Sequence, residues 1–139
     1  MYLKRFLLIL KHVLFPIAIA SADDAETEKD ISNIKPEMTV TAVELYYDYQ
    51  KNGLAADEKY KDKVIIVEGS ISEIDKDLGD IYCSLNTADY DWVRCYFSKS
   101  HAKEAANLEK KMKISVKGKV EGKFGAYLNL RGCTIEKIK

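Results

Sequence analysis

The sequence contains one long β-branched run, Lys63-Val-Ile-Ile-Val-Glu-Gly-Ser-Ile-Ser-Glu-Ile74. Ile65, Val67 and Ile71 alternate along it, which predicts a strand with these side chains on its core face. Gly69 interrupts the run, and a glycine inside a strand commonly marks a bulge, a bend or a close approach of another chain segment. A long strand that bends can pair with one neighbour on each side. The run therefore predicts the closing strand of a small barrel.

Four further segments alternate between apolar and polar residues, as half-buried strands do. They are residues 81–85, 92–97, 112–122 and 126–136, the last with Gly132 at an expected bulge. A helix over residues 99–111, capped by Ser98 or Ser100, is predicted between the third and fourth strands. The order β-β-β-α-β-β is that of a five-stranded OB-fold barrel, so the fold class is mainly β with helices.

A helical segment is predicted ahead of the barrel, over residues 40–51, with a short helical turn over 54–61. Thr39 or Thr41 is the expected N-cap, and Thr41 and Glu44 have the spacing of a capping box. Tyrosines at helical spacing favour a helix that covers the core, and an aromatic ligand platform is the alternative. The tyrosines are Tyr46, Tyr47 and Tyr49.

The first 22 residues have the pattern of a secretory signal peptide. Lys4 and Arg5 precede an apolar run, and Ala20-Ser21-Ala22 supplies the small residues of a cleavage site. The alternative is a retained anchor or an amphipathic helix, although Lys11 breaks the run short of the roughly 20 apolar residues that a span needs. The expected location is periplasmic or secreted, with membrane contact only if the segment is retained.

The remaining chain divides into a tether and a domain. Residues 23–37 are acidic and without periodicity, which predicts a flexible tether, and residues 38–139 form the OB-fold domain. Charge is uneven within the domain: residues 38–98 carry 6 basic and 12 acidic side chains, and residues 99–139 carry 11 basic and 4 acidic. A basic face is therefore compatible with a chain that has no net charge.

Three cysteines lie in the domain, at Cys83, Cys95 and Cys133. Their spacing matches no zinc-binding pattern, and there is no Cys-x-x-Cys motif. An exported chain permits a disulfide, and an odd count leaves one thiol over. Three small buried thiols in apolar strands are the alternative.

Short motifs spread over residues 40–136 are informative when they are taken together with the glycine-bearing first strand. They are Leu45-Tyr46, Tyr49-Gln-Lys-Asn52, Ala55-Ala56-Asp57, Tyr60-Lys61-Asp62-Lys63, Arg94-Cys95-Tyr96-Phe97, Val116-Lys117-Gly118-Lys119-Val120 and the run from Leu128 to Cys133. On these residues the chain resembles the small exported bacterial OB-fold proteins of the tRNA anticodon-binding-domain-like (tRNA_anti-like) family. The resemblance implies the fold and no particular ligand, because the family name records a likeness of fold.

The resemblance also bears on the cysteines. The family pattern has a cysteine in the third strand and one near the chain end, which implies Cys95 and Cys133 as the disulfide pair and Cys83 as the free thiol. Closing that 39-residue loop would stabilise the fold by roughly 3–4 kcal/mol in the chain-entropy model. The rival pair is Cys83–Cys95, which the hairpin of the second and third strands would bring close.

The sequence shows no recognisable catalytic set. His101 is the only histidine after the first 22 residues, and its lysine-rich surroundings favour a solvated surface role. There is no Ser-His-Asp pattern, no zinc-protease motif and no phosphate loop. We therefore predict a protein that is not an enzyme and that uses no metal and no cofactor.

A binding surface is predicted on the second and third strands, where OB folds commonly hold ligands between two flanking loops. Rings beside an arginine can stack bases, stack sugars or grip a peptide. Packing of these rings against the N-terminal helix is the alternative. The candidate residues are Tyr82, Trp92, Arg94 and Tyr96, with Lys123 and Phe124 at the rim.

A basic stripe is predicted on the fourth and fifth strands, and its lysines suit either an anionic ligand or a solubilising exposed edge. Because the exported chain is acidic overall, we predict a binding module that acts on a protein partner or an envelope-associated ligand. A single-stranded nucleic-acid-binding domain that uses the aromatic and basic face is the alternative. The stripe comprises Lys113, Lys117, Lys119, Lys123 and Arg131.

Overall fold

A computed structural model of the protein describes residues 30–88 and 92–139. The predicted signal peptide, the first part of the predicted tether and the loop around Tyr90 lie outside the described residues. Within those residues, no helix is both long enough and apolar enough to cross a membrane. The elements are β1 (Thr39–Thr41), α1 (Ala42–Lys51), α2 (Gly53–Tyr60), β2 (Val64–Asp77), β3 (Asp80–Asn86), β4 (Trp92–Phe97), a 3₁₀ helix (Ala102–Asn107), β5 (Lys113–Phe124) and β6 (Tyr127–Ile138).

Five strands close into a barrel in the order β2-β3-β4-β6-β5, and β5 returns to β2. The β4–β6 pair is parallel, and the other barrel pairs are antiparallel. The short β1 adds to the outside of this ring by pairing in parallel with β2. The predicted five-stranded OB-fold barrel is thus confirmed, with one small additional strand.

The strand β2 closes the barrel as its length and its glycine predict. Residues 64–70 pair with β5, residues 71–77 pair with β3, and the register shifts between Ile71 and Glu73. A Cβ atom at Gly69 would lie 3.2 Å from the Cβ atoms of Ala42 and Leu85. Gly69 therefore allows the helix α1 and the strand β3 to approach β2 closely, next to the point where its partner changes.

The predicted core faces of the strands are confirmed by burial. The bulge at Gly132 is confirmed as well, because its φ is +65° and the β5–β6 register shifts between the Lys117 and Lys119 pairs. This extra residue returns Cys133 to the core. The fully buried strand side chains include Ile65, Val67, Ile71, Cys83, Leu85, Val93, Cys95, Ile114, Val116, Val120, Leu128, Leu130 and Cys133.

The first N-terminal helix begins after Thr41, one of the residues predicted to cap it. The Thr41 side chain accepts a 3.1 Å hydrogen bond from the Glu44 N–H, and the Asn52 side chain accepts two from the start of α2. Tyr46 and Tyr49 are buried, whereas Tyr47 is 59% exposed. The core-covering interpretation is thus correct for two of the three tyrosines.

The prediction of a helix over 99–111 was wrong in length and in type. The segment forms only the 3₁₀ helix, which follows His101 and has no side-chain cap. Instead of capping a helix, the hydroxyls of Ser98 and Ser100 lie 2.8 and 3.1 Å from Nδ1 of His101. The serine side chains are therefore occupied by the imidazole, and Leu108 already has extended backbone.

The last part of the predicted tether packs on the barrel. Ile31 is buried, and the Glu37 N–H donates a 2.9 Å hydrogen bond to the Val64 carbonyl. The ammonium group of Lys117 donates to the carbonyls of Ser32 and Ile34 at 2.7 and 3.1 Å. Contacts with the barrel therefore begin ahead of the predicted domain boundary at residue 38.

Candidate ligand-binding face

The outward side chains of β3, β4 and β6 form one continuous face. Strand alternation places it opposite the core-facing residues, and the pairing register arranges it in rows across the strands. Tyr82 lies opposite Tyr96 at one end. The middle row is Ser84, Arg94 and Asn129, and the far row is Asn86, Trp92 and Tyr127.

Six side chains on this face form an unbroken series of rings and guanidinium groups, which we call the ring–guanidinium stack. The guanidinium carbon of Arg131 lies 4.0 Å from the Tyr96 ring centre, and the Tyr96 and Tyr82 ring centres are 5.5 Å apart. Arg94 lies between Tyr82 and Tyr127, at 4.1 and 3.8 Å from their ring centres. Trp92 stacks on Tyr127 at 5.8 Å with an interplanar angle of 21°. In order, the members are Arg131, Tyr96, Tyr82, Arg94, Tyr127 and Trp92.

Arg94 is the centre of the stack and is held by polar contacts as well as by rings. Its Nη1 donates to the Tyr96 hydroxyl at 3.4 Å and lies 3.9 Å from Oδ2 of Asp77. The Tyr96 hydroxyl in turn donates to Asp77 at 3.0 Å. Burial lowers the pKa of Arg94, but the hydrogen bond with Tyr96 and the nearby tyrosines raise it by more, so this pKa is raised overall. Arg94 therefore remains a cation on this face at any ordinary pH.

Carboxylates neutralise both arginines of the stack. Arg131 donates from Nε to Glu121 at 2.9 Å and from Nη1 to Asp80 at 3.4 Å, while Asp77 lies beside Arg94. Two guanidinium groups thus face three carboxylates. The face is aromatic and polar, but it carries no excess of positive charge.

The middle row contains three buried polar atoms that have no hydrogen-bond partner among the described residues. They are Oγ of Ser84, Nε of Arg94 and Oδ1 of Asn129. Ser84 and Asn129 are the register partners of Arg94 on its two sides. A donor, an acceptor and a hydroxyl therefore lie side by side across three strands, where buried polar groups are normally paired.

The structure brings together four of the eight predicted ligand-binding residues, namely Tyr82, Trp92, Arg94 and Tyr96. Phe124 lies at the hairpin end, 54% exposed, and its register partner on β6 is Tyr127. Lys123 turns toward α1, with Nζ 5.2 Å from the Tyr46 ring centre. Lys119 is exposed on β5 as the partner of Arg131.

Lys117 is not part of an exposed basic stripe, contrary to the prediction. Only 6% of this residue is exposed, because the segment around Ser32 and Ile34 covers it. Its Nζ also lies 3.5 Å from Oε1 of Glu136. Lys117 thus holds the N-terminal segment on the barrel and is not available on an open surface.

Packing of these rings against the N-terminal helix was the predicted alternative. Tyr82 and Tyr96 are each 5% exposed, but the groups around them are each other and the two arginines. Their ring faces are therefore largely occupied within the stack. Trp92, at the end of the series, is only half-buried.

Sequence reasoning missed Tyr127, Ser84 and Asn129 as members of this face. The signal was present, because the alternation along residues 126–136 that turns Leu128 and Leu130 inward must turn their neighbours outward. What was not used is that β6 lies beside β4 in the OB-fold strand order. That adjacency adds the outward residues of β6 to those of β4.

The three cysteines are free thiols in this structure. Cys83 and Cys95 are register partners, and Cys95 interacts with both Cys133 and Cys83. The contact with Cys95 and burial raise the pKa of Cys83, and the pKa of Cys95 is raised chiefly by Cys133. Cys95 therefore lies between the two partners that the sequence left in competition, and the disulfide with Cys133 stays a prediction.

No group of side chains among the described residues is arranged to hold a metal ion. The contact between Ser98 and His101 is local, and Ser98 is buried. Its hydroxyl is thus not presented to a substrate, as a nucleophile would have to be.

Comparison with known proteins places this geometry in context. The family model tRNA_anti-like matches residues 1–134. A candidate nucleic acid-binding lipoprotein from Klebsiella pneumoniae is similar in structure, with a TM-score of 0.59 and 16% identity over 72% of this chain and 92% of that chain. A weaker similarity, with a TM-score of 0.42 and 19% identity, links 53% of this chain to 58% of a chain of the Schizosaccharomyces pombe Stn1-Ten1 complex. No curated protein matches the chain. At these identities the solved structures show the fold alone.

Proposed function

Because the chain belongs to the tRNA_anti-like family of OB-fold domains, we propose that it is an exported binding module without enzymatic activity. Its ligand-binding surface is the outward face of β3, β4 and β6. We assign a protein partner as the ligand, with Arg94 and the rings beside it as the centre of the contact.

The observation that carries this proposal is the unpaired polar row of Ser84, Arg94 and Asn129. Binding sites are largely apolar and aromatic, with a few convergent polar groups that orient the ligand. A peptide backbone supplies both N–H donors and carbonyl acceptors, which are what this row lacks. These atoms are buried, so a partner reaches them through a change of side-chain rotamer, which is common at interfaces on binding.

Charge supports a protein partner over a polyanion. Arg94 and Arg131 are already paired with Asp77, Asp80 and Glu121. Binding of a phosphate backbone depends on unpaired Lys and Arg side chains that displace counterions. The face offers few such groups, because Lys117 is buried and Lys123 lies against Tyr46.

A second candidate is a domain that binds single-stranded nucleic acid, which the description of the Klebsiella lipoprotein favours. The stacked pair of Trp92 and Tyr127 at the hairpin end is the part of the face on which a base could stack. The lipoprotein description also supports export, since such proteins are carried out of the cytoplasm.

Photocrosslinking in the bacterial envelope tests the proposal. A benzophenone amino acid is placed at Phe124, beside the stack, and in a control at Ile138, which has a similar exposure at the opposite end of β6. We expect a crosslinked product from Phe124 only, digested by protease and untouched by nuclease. This product should be lost when Arg94 is replaced by Ala. A nuclease-sensitive product, or equal products from both positions, would overturn the proposal.

A further inference from the structure

An apolar cavity of about 390 Å³ lies between the β2–β3 hairpin and the 3₁₀ helix. None of its lining residues belongs to the ring–guanidinium stack. Its walls are Ile74 of β2, Ile81 of β3 and three alanines of the helix, and its charged residues are Asp75, Lys76 and Lys103. The three alanines are Ala102, Ala105 and Ala106.

The cavity results from small side chains at a place where a barrel end needs covering. Ile74 and Ile81 pack against the core from the barrel side. The apolar lining from the helix opposite them consists of alanine methyl groups, and Ala105 is buried. The space is open to solvent, because Lys76, Lys103 and Ala106 of its lining are exposed. Its volume is within the range of small-molecule sites.

The charges at the cavity indicate what kind of ligand it suits. Among the described residues, neither Lys76 nor Lys103 forms an ion pair through its ammonium group. Asp75 is the one acidic residue of the lining, and its carboxylate already accepts a 2.8 Å hydrogen bond from the Lys76 N–H. An apolar space beside two unpaired cations is complementary to a molecule with an apolar chain and a negative head.

We propose that this cavity binds the acyl chain of an anionic single-chain lipid, with the carboxylate of a fatty acid as the simplest head group. The chain lies against Ile74, Ile81 and the alanines, and Lys76 and Lys103 contact the head. This site is independent of the proposed protein-binding face, because it shares no residue with the stack.

Calorimetric titration of the full chain with three ligands of equal chain length tests the charge preference. The ligands are decanoate, decanol and decyltrimethylammonium, each below its micelle concentration. We expect decanoate to bind about fivefold more tightly than decanol, as a partly exposed ion pair allows. The cationic ligand should bind most weakly. Equal affinity for all three would overturn the proposal.

Two pairs of variants locate the site. Ala102→Leu fills the cavity and should weaken decanoate about tenfold, the equivalent of roughly two buried methylene groups. Ala55→Leu, on the exposed side of α2, should change nothing. Lys103→Gln should reduce the preference for decanoate over decanol without lowering the affinity for decanol, since Lys76 remains. Lys110→Gln, at an exposed position, should keep the full preference.

Thermal unfolding of each variant, followed by circular dichroism, shows that the fold is retained. Unchanged decanoate affinity in a folded Ala102→Leu protein would place the ligand elsewhere and reject the site. Sedimentation tests the other possible occupant of the cavity, which is a second copy of the chain. A dimer of the unliganded chain that Ala102→Leu dissociates would mean that a second copy fills the cavity, which also overturns the proposal.

Discussion

The guanidinium group of Arg94 lies over the ring of Tyr127, with the guanidinium carbon 3.8 Å from the ring centre. These residues lie on β4 and β6, which are distant in sequence and meet through the parallel pair of the barrel. Their contact continues the stack from β3 and β4 onto β6. It therefore extends the candidate face by one strand beyond what the sequence indicated.

Replacement of Arg94 by Ala should lower the free energy of unfolding by about 2–3 kcal/mol, because two ring contacts in a mostly buried setting are lost. Arg131→Ala removes one ring contact and two ion pairs at an exposed position, so we expect the free energy of unfolding to fall by about 1 kcal/mol. Urea denaturation measures both values. Equal losses for the two variants would mean that Arg94 has no special place in the stack.

Trp92 is the only tryptophan, and its fluorescence reports on the hairpin end of the face. If the ligand is a protein, single-stranded oligothymidine should leave the emission unchanged even at low salt. A saturable quenching that fades steeply with added salt would instead support the nucleic-acid candidate. A double variant, Trp92→Phe with Tyr47→Trp, controls for nonspecific quenching. Its new tryptophan lies at an exposed position of α1.

Gly69→Val should lower the free energy of unfolding by about 1–3 kcal/mol, the usual cost of overpacking. The new side chain would press on the Cβ atoms of Ala42 and Leu85, both 3.2 Å from its own Cβ. Gly53→Ala is the control, since nothing lies within 4 Å of its added Cβ. The control should be neutral or stabilising by about 0.4–1 kcal/mol. Wild-type stability of Gly69→Val would require a revised account of barrel closure.

Lys117→Met should release the segment around Ser32 and Ile34, because it removes both hydrogen bonds to their carbonyls. We expect the free energy of unfolding to fall by about 1–2 kcal/mol, since these carbonyls can turn to water. A protease of broad specificity should also cut faster near residues 31–37. Lys119→Met, on the same face of β5 but exposed, should stay within about 0.5 kcal/mol of wild type. Similar behaviour of the two variants would contradict the anchoring role of Lys117.

A count of free thiols in the denatured, unreduced protein tests the disulfide. One free thiol is expected, whereas three would exclude any disulfide. Cys95→Ser should leave two free thiols, because Cys95 is the shared neighbour of Cys83 and Cys133. Cys133→Ser separates the pairs: two free thiols indicate Cys95–Cys133, and none indicates Cys83–Cys95.

The sequence by itself determined which strand residues point inward, because side chains alternate strictly along a strand and the pattern is local. It also indicated the cap at Thr41, which acts within a few residues. The prediction of a helix over residues 99–111 failed because it too was based on local sequence alone. Alanines and lysines there favour a helix, but contacts of His101 with serines and packing at the barrel end left one short 3₁₀ segment.

Only the tertiary structure decided what the outward side chains meet. Lys117 and Lys119 have the same place in the alternating pattern, yet one is buried under an N-terminal segment and the other is exposed. Arg94 and Tyr127 become partners only when β6 lies beside β4. Alternation fixes the side of a sheet on which a residue lies, but its neighbours come from strands far away in sequence. The candidate face therefore belongs to the closed barrel and to no single segment of the chain.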